Sequence, residues 1–61
     1  MTYTAKTKRD EVQREIKFRE KVYRRLVNNG GMTQEAMDRR IGIMVEIAED
    51  YRQVEEAERL L

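Results

Sequence analysis

The folding of this sequence is constrained most by one glycine-rich break between two long segments that lack proline. The break is Asn28-Asn29-Gly30-Gly31. Glycine and asparagine at a single point, with few strand-forming residues on either side, predict two helices joined by a turn. Asn29 or Gly30 can take the left-handed conformation that ends the first helix. Thr33 can cap the second.

These signals place the elements along the chain. We expect helix 1 at about 8–29, a turn at 28–33 and helix 2 at about 33–60. Residues 1–6 are expected to form a flexible N-terminal arm, and residues 7–61 a single helical-hairpin domain. Acidic residues precede arginines by four positions, the favourable orientation for ion pairs on a helix. These pairs are Asp10/Arg14, Glu15/Arg19, Glu20/Arg24, Glu35/Arg39 and Glu55/Arg59.

The apolar faces of both helices are too wide for one hairpin to cover. At about 100° per residue, the apolar residues span an arc of about 180° on helix 1 and about 200° on helix 2. A chain of 61 residues without Cys or His also lacks disulfides and the usual metal ligands as supports. The predicted fold is therefore all-α: an antiparallel hairpin of two long helices that assembles into a four-helix bundle as a homodimer or higher oligomer.

Three charged residues fall inside these apolar arcs: Glu15, Arg19 and Arg40. One interpretation is an ion-paired cluster in the core that fixes helix register. Another is a cavity in which Arg19 and Arg40, with Tyr23 or Tyr51, bind an anionic ligand such as a phosphate-bearing nucleotide. A third is simple exposure at the edge of the bundle.

The charge is divided between the two halves of the chain. Residues 1–28 carry nine basic and four acidic side chains, a net +5, while residues 29–61 carry four basic and eight acidic side chains, a net −4. Opposite charges favour packing of the two helices against each other. The outward side of helix 1 also carries a basic ridge that could contact a protein partner or a nucleic-acid phosphate backbone. This ridge consists of Arg14, Lys17, Lys21, Arg24 and Arg25.

A second candidate contact lies on the outward side of helix 2. Gly42 inside a helix costs up to about 1 kcal/mol relative to alanine, so a close approach by another molecule is one explanation for it. Exposure without function is the other. With its neighbours this surface, the Gly42 face, comprises Arg39, Gly42, Glu46 and Glu49.

Catalysis is not expected of this chain. Ser, Cys and His are absent, so the usual nucleophiles and the usual general base are missing. The carboxylates of Glu46, Glu49 and Asp50 face outward on helix 2 rather than into a bundle core, where a di-metal site would lie. We therefore predict a non-enzyme with no cofactor and no metal. No apolar run has the length of a membrane span, and the expected location is the cytoplasm.

Several runs of the sequence resemble small uncharacterised bacteriophage and prophage proteins that form helical hairpins. The resemblance covers about two-thirds of the chain and implies a phage context without an assigned activity. Small phage proteins often act by stoichiometric binding to another component. The leading functional hypothesis is thus an interaction protein, with a nucleotide-sequestering oligomer and a nucleic-acid-binding regulator as alternatives. The runs are Arg19–Val27, Gly31–Glu35, Asp38–Ile41 and Ile47–Tyr51.

Overall fold

A computed structural model describes residues 2–61 as two helices packed side by side in opposite directions. Helix α1 spans Ala5–Asn28 and helix α2 spans Gln34–Arg59. The predicted all-α hairpin is confirmed. Neither helix within the described residues contains a stretch long and apolar enough to cross a membrane.

Helix α1 begins three residues earlier than the expected start at about 8, so Ala5 and Lys6 are helical rather than part of the predicted arm. The reason is a cap at Thr4, whose side-chain oxygen accepts a hydrogen bond from the Thr7 backbone N–H at 3.1 Å. This bond satisfies one of the backbone donors left free at a helix start. Ala5 is also buried, which holds this first turn against the rest of the hairpin.

Two glycines in the turn terminate α1. Gly30 has a φ of 84°, in the left-handed region that favours glycine. The backbone N–H of Gly31 donates to the Leu26 carbonyl at 2.8 Å, and that of Gly30 donates to the Val27 carbonyl at 3.3 Å. These two bonds form a Schellman motif, which satisfies carbonyls at the end of the helix. Of the two residues expected to close α1, Gly30 adopts the left-handed conformation.

The start of α2 agrees with the sequence. Thr33 is the N-cap, and its side chain accepts a hydrogen bond from the Ala36 backbone N–H at 3.0 Å. Glu35 lies in the first turn, where the helix dipole favours an acidic group. The two helices are therefore set antiparallel by local signals at both ends of a short turn.

The contact between the helices is lined by small and flexible side chains. Within residues 2–61 only Ala5, Met37 and Ala48 are buried, each with 7–9% of its surface exposed. The small side chain of Ala48 lets the two helices approach closely. Half-buried apolar residues flank this line on both helices: Val12, Ile16, Tyr23, Leu26, Val27, Ile41, Met44 and Tyr51. The core of a single hairpin is thus one narrow seam.

Only one of the five expected ion pairs along the helices is formed in the described residues, between Glu15 and Arg19 at 2.8 Å. Several of the other acidic and basic side chains form ion pairs that differ from the expected ones. Lys6 pairs with Asp10, Arg52 with Glu49, Arg59 with Glu56, and Arg9 with Glu55 on the opposite helix. Each exposed pair on a helix contributes only about 0.2–0.5 kcal/mol, so spacings of three and four residues compete on nearly equal terms.

Candidate functional site

Large apolar side chains remain exposed on one stripe of each helix. On α2, Ile43, Ile47 and Val54 are 54%, 37% and 49% exposed. On α1, Phe18 is 62% exposed, and Val22 one turn later is half-buried. We call these five residues the apolar face. Single exposed apolar residues are common, whereas a contiguous set typically marks an interaction surface.

The two stripes lie on the same side of the hairpin. At about 100° per residue, each stripe is rotated by roughly 110–130° from the buried line of its own helix, in the same sense along the chain. In an antiparallel pair of right-handed helices, equal rotations in that sense point to the same side. The two stripes of the apolar face therefore lie on one side of the hairpin, and the same rotation places the paired Glu15 and Arg19, with Arg40, between the stripes and the seam.

The opposite side of the hairpin carries a groove of about 240 Å³. It runs along the seam between the helices, with Ile16 and Ala48 among its lining residues. The other residues that line it are Arg9, Gln13, Val45, Glu49 and Arg52. These are rotated from the buried lines in the sense opposite to the apolar face, which places the two features on opposite sides of the molecule.

An ion pair crosses the helices beside this groove. Arg9 Nη1 lies 3.1 Å from Glu55 Oε2, and the two side chains are only 21% and 34% exposed. Arg9 Nε and Glu55 Oε2 are buried atoms, and neither makes a hydrogen bond within residues 2–61. Helical periodicity does not predict this pair, because the pair depends on the register of α1 against α2.

Removing one member of this pair is expected to cost more than removing an exposed charge. Arg9→Ala should lower the free energy of unfolding by about 1–2 kcal/mol, because it leaves the Glu55 carboxylate partly desolvated and unpaired. Glu55→Ala should act similarly, and Arg9→Ala with Glu55→Ala should cost clearly less than the two single changes together. Urea unfolding of the four proteins measures this coupling.

The control for this cycle is Lys6→Ala, which removes an exposed pair with Asp10. Its expected cost is within about 0.5 kcal/mol. Strict additivity of the Arg9 and Glu55 changes would show that the cross-helix pair contributes nothing to the hairpin.

The rim of the groove carries a second ion pair, within α2. Arg52 donates from Nε and Nη2 to the two carboxylate oxygens of Glu49, at 2.9 and 2.7 Å. These hydrogen bonds hold the pKa of Glu49 below its usual range and raise that of Arg52. Both groups are therefore charged at neutral pH, and Glu49 is engaged rather than presented as a free general base.

The expected cluster of Glu15, Arg19 and Arg40 does not assemble within the chain. Arg19 Nε donates to Glu15 Oε1 at 2.8 Å, and this bond, with a smaller contribution from Tyr23, raises the pKa of Arg19. Arg40 is exposed and forms no ion pair within the described residues. No charged residue of this part of the chain is buried. The single hairpin therefore does not bury these three charges, and an ion-paired cluster at the interface of an oligomer stays a prediction.

The side chains of the predicted ligand cavity do not come together within one hairpin either. Tyr51 is half-buried and lies beside Lys8, whose Nζ is 5.7 Å from the ring centroid, within cation–π range. Arg40 is eleven residues from Tyr51 on the same helix, which is about 16 Å along its axis. The guanidinium of Arg19 is also already paired with the Glu15 carboxylate. The described chain therefore does not bring these side chains together around one anion-binding site.

The basic ridge is formed as predicted along the outside of α1. All five of its side chains are exposed, and none forms an ion pair within residues 2–61. Near the turn, three of them line a shallow depression together with Asn28 and Asn29. Unpaired cations on an exposed helix are available to an acidic partner. The five residues are Arg14, Lys17, Lys21, Arg24 and Arg25.

The Gly42 face is less distinctive. Arg39 and Glu46 are exposed, while Glu49 is half-buried and paired with Arg52. A Cβ added at Gly42 would meet no atom within 4 Å. Packing within the hairpin therefore does not require glycine at this position.

Among the described residues, no group of three or more acidic side chains is placed to hold a metal ion. No family model, curated protein or solved structure matches the chain. The functional interpretation therefore depends on the apolar face, the groove and the basic ridge.

Proposed function

We propose that this protein is a small non-catalytic interaction protein, of phage or prophage origin, that binds a protein partner stoichiometrically as an oligomeric helical bundle. The observation that carries the proposal is the apolar face. A seam with only three buried residues leaves Phe18, Ile43, Ile47 and Val54 between 37% and 62% exposed on one surface. Covering such a surface is the main favourable contribution to most protein association.

The basic ridge supplies the contact with the second protein. Its side chains project away from the seam and are not neutralised by acids of the described chain. A row of unpaired lysines and arginines attracts an acidic protein surface over a range set by the Debye length, about 8–10 Å at physiological salt. In this proposal the apolar face holds the bundle together and the ridge selects the partner.

A capture experiment with two surface variants tests this division. The tagged wild-type protein, a ridge variant and a Gly42-face variant are used to capture proteins from host cells, and the stoichiometry of each captured complex is measured by native mass spectrometry. The ridge variant carries Lys17→Glu and Lys21→Glu. The Gly42-face variant carries Arg39→Glu and Glu46→Lys, which leaves the net charge unchanged.

The proposal predicts a protein held at fixed stoichiometry by the wild type and by the Gly42-face variant but lost from the ridge variant. Loss from the Gly42-face variant alone would move the contact to α2. Capture of nucleic acid alone, released steeply as salt rises, would contradict the proposal in favour of a nucleic-acid-binding regulator.

A further inference from the structure

We infer that the apolar face is covered by a second copy of this chain, with α1 of each copy packed against α2 of the other. This inference rests on the proposed function, since it specifies the bundle that the proposal requires. It follows from the size of the face, the charges of the two helices and the register between them.

The dimensions suit a two-fold dimer. The hairpin measures 48 Å along its helices and 18 Å across, with a depth of 14 Å. The apolar face occupies about 16 Å of this length on α2, and a contact that extends along the whole side of the hairpin would bury about 800 Å² per partner, the typical size of a stable protein interface. A symmetric dimer uses the same patch on both copies, so one apolar face per chain is sufficient.

Two arrangements bring the faces together. If the two-fold axis runs parallel to the helices, α1 of one copy lies beside α2 of the other, and both helices keep antiparallel neighbours. If the axis lies across the helices, α1 lies beside α1 and α2 beside α2. Helix α1 carries nine basic and four acidic side chains, a net +5, and α2 carries four and eight, a net −4. Charge complementarity therefore favours the first arrangement.

The register places individual charges opposite each other. The pair between Arg9 and Glu55 shows which residues of α1 and α2 are level, that is, at the same height along the long axis of the hairpin. Arg14 and Asp50 each lie five residues closer to the turn and are therefore level too. Rotation about a two-fold axis parallel to the helices does not change the height of any residue along that axis. Arg14 of one copy therefore lies at the same height as Asp50 of the other, and the two side chains meet.

Both of these residues lie at the edges of the apolar face. Arg14 is the one residue of the basic ridge assigned to the contact between copies, and Lys17, Lys21, Arg24 and Arg25 remain for the protein partner. Arg14 precedes Phe18 by one helical turn on α1, and Asp50 lies between Ile47 and Val54 along the stripe of α2. Both side chains are exposed, and neither forms an ion pair within residues 2–61. Charges that flank an apolar seam in this way determine partner choice and orientation in helical bundles.

A charge-swap experiment tests the arrangement. Arg14→Glu alone places an acid opposite Asp50, and Asp50→Arg alone places two arginines together. Because each dimer contains the contact twice, each variant should dissociate at about tenfold higher concentration than the wild type. An equimolar mixture forms a heterodimer in which both contacts are attractive, and its dissociation constant should return to within about threefold of the wild-type value. Sedimentation equilibrium measures all four samples.

The control is Lys17→Glu, which changes the net charge as Arg14→Glu does but lies away from the apolar face; its dissociation constant should stay within about twofold of the wild type. A mixture no tighter than the single variants would overturn the inferred arrangement. Tighter association of Arg14→Glu alone would also overturn it, in favour of α1 against α1. Both results leave the proposed bundle standing if the wild type dimerises, whereas a monomeric wild type rejects the bundle itself.

Discussion

Ile43→Asp is expected to weaken self-association by more than about a hundredfold. In the proposed bundle Ile43 is the most exposed residue of the apolar face on α2, so the change removes a buried apolar side chain and desolvates a carboxylate. Either effect alone is worth about 1.5–3 kcal/mol or more, and each 1.4 kcal/mol is tenfold in the dissociation constant. Sedimentation velocity across a dilution series would show the variant as a monomer at concentrations where the wild type is assembled.

Val45→Asp provides a matched control for this change. Val45 lies on the same helix, is 50% exposed compared with 54% for Ile43, and lines the groove on the opposite side. It introduces the same charge at nearly the same exposure, so its dissociation constant should stay within a few-fold of the wild type. Equal weakening by both substitutions would show that the association has no preference for the apolar face.

Ala48→Asp is expected to unfold the hairpin itself. Ala48 is 7% exposed, and its small side chain sets the separation of the helices at the seam. A carboxylate at this point would be desolvated in the seam, where the neighbouring cations Arg9 and Arg52 are already paired with Glu55 and Glu49, at a cost of about 3 kcal/mol or more. A single core in a domain of this size rarely supplies more than about 3–5 kcal/mol. Far-UV circular dichroism at 25 °C should therefore show the loss of most helical signal.

The same substitution at an exposed alanine of α2 separates burial from helix propensity. Ala57 lies on the solvent side of α2, and Ala57→Asp exchanges the same side chains. Its cost should be limited to the propensity difference and an unfavourable charge near the helix C-terminus, about 1 kcal/mol. Retention of full helicity by Ala48→Asp would mean that the two helices do not pack along this seam.

Local signals predicted the hairpin because its turn is encoded by short-range chemistry. Gly30 supplies the left-handed residue and Thr33 the cap, and both can be identified in the sequence without knowledge of the tertiary structure. The early start of α1 was missed because Thr4 and Ala5 precede the apolar periodicity. A threonine followed by a run of helix-compatible residues was the signal available there.

The pairing of charges could not be predicted in the same way. The pair between Arg9 and Glu55 depends on the register of two helices, which no local pattern fixes. Arg40 falls inside the apolar arc of α2, yet it is exposed because the seam covers only part of that arc. Since Glu15 already pairs with Arg19, the loss of Arg40 leaves that pair intact in the hairpin.

The basic ridge and the apolar face could be predicted from the sequence only in part. Helical periodicity alone places the basic ridge on the outer side of α1 and the residues of the apolar face within the apolar arcs of the two helices. In the structure the ridge side chains are exposed. Which part of each arc enters the seam depends on the crossing of the two helices. Burial at Met37 and Ala48 shows which part of the α2 arc enters the seam, and so which apolar residues stay exposed on the apolar face and at Val45.

Sedimentation equilibrium of the wild-type protein tests the central claim most directly. The chain has a mass of 7.4 kDa. If a second copy covers the apolar face, the apparent mass at micromolar concentrations should be about twice this value or a higher multiple, and it should fall on dilution together with the thermal midpoint. A helical, cooperatively folded species that keeps the monomer mass from micromolar to near-millimolar concentration would contradict the account.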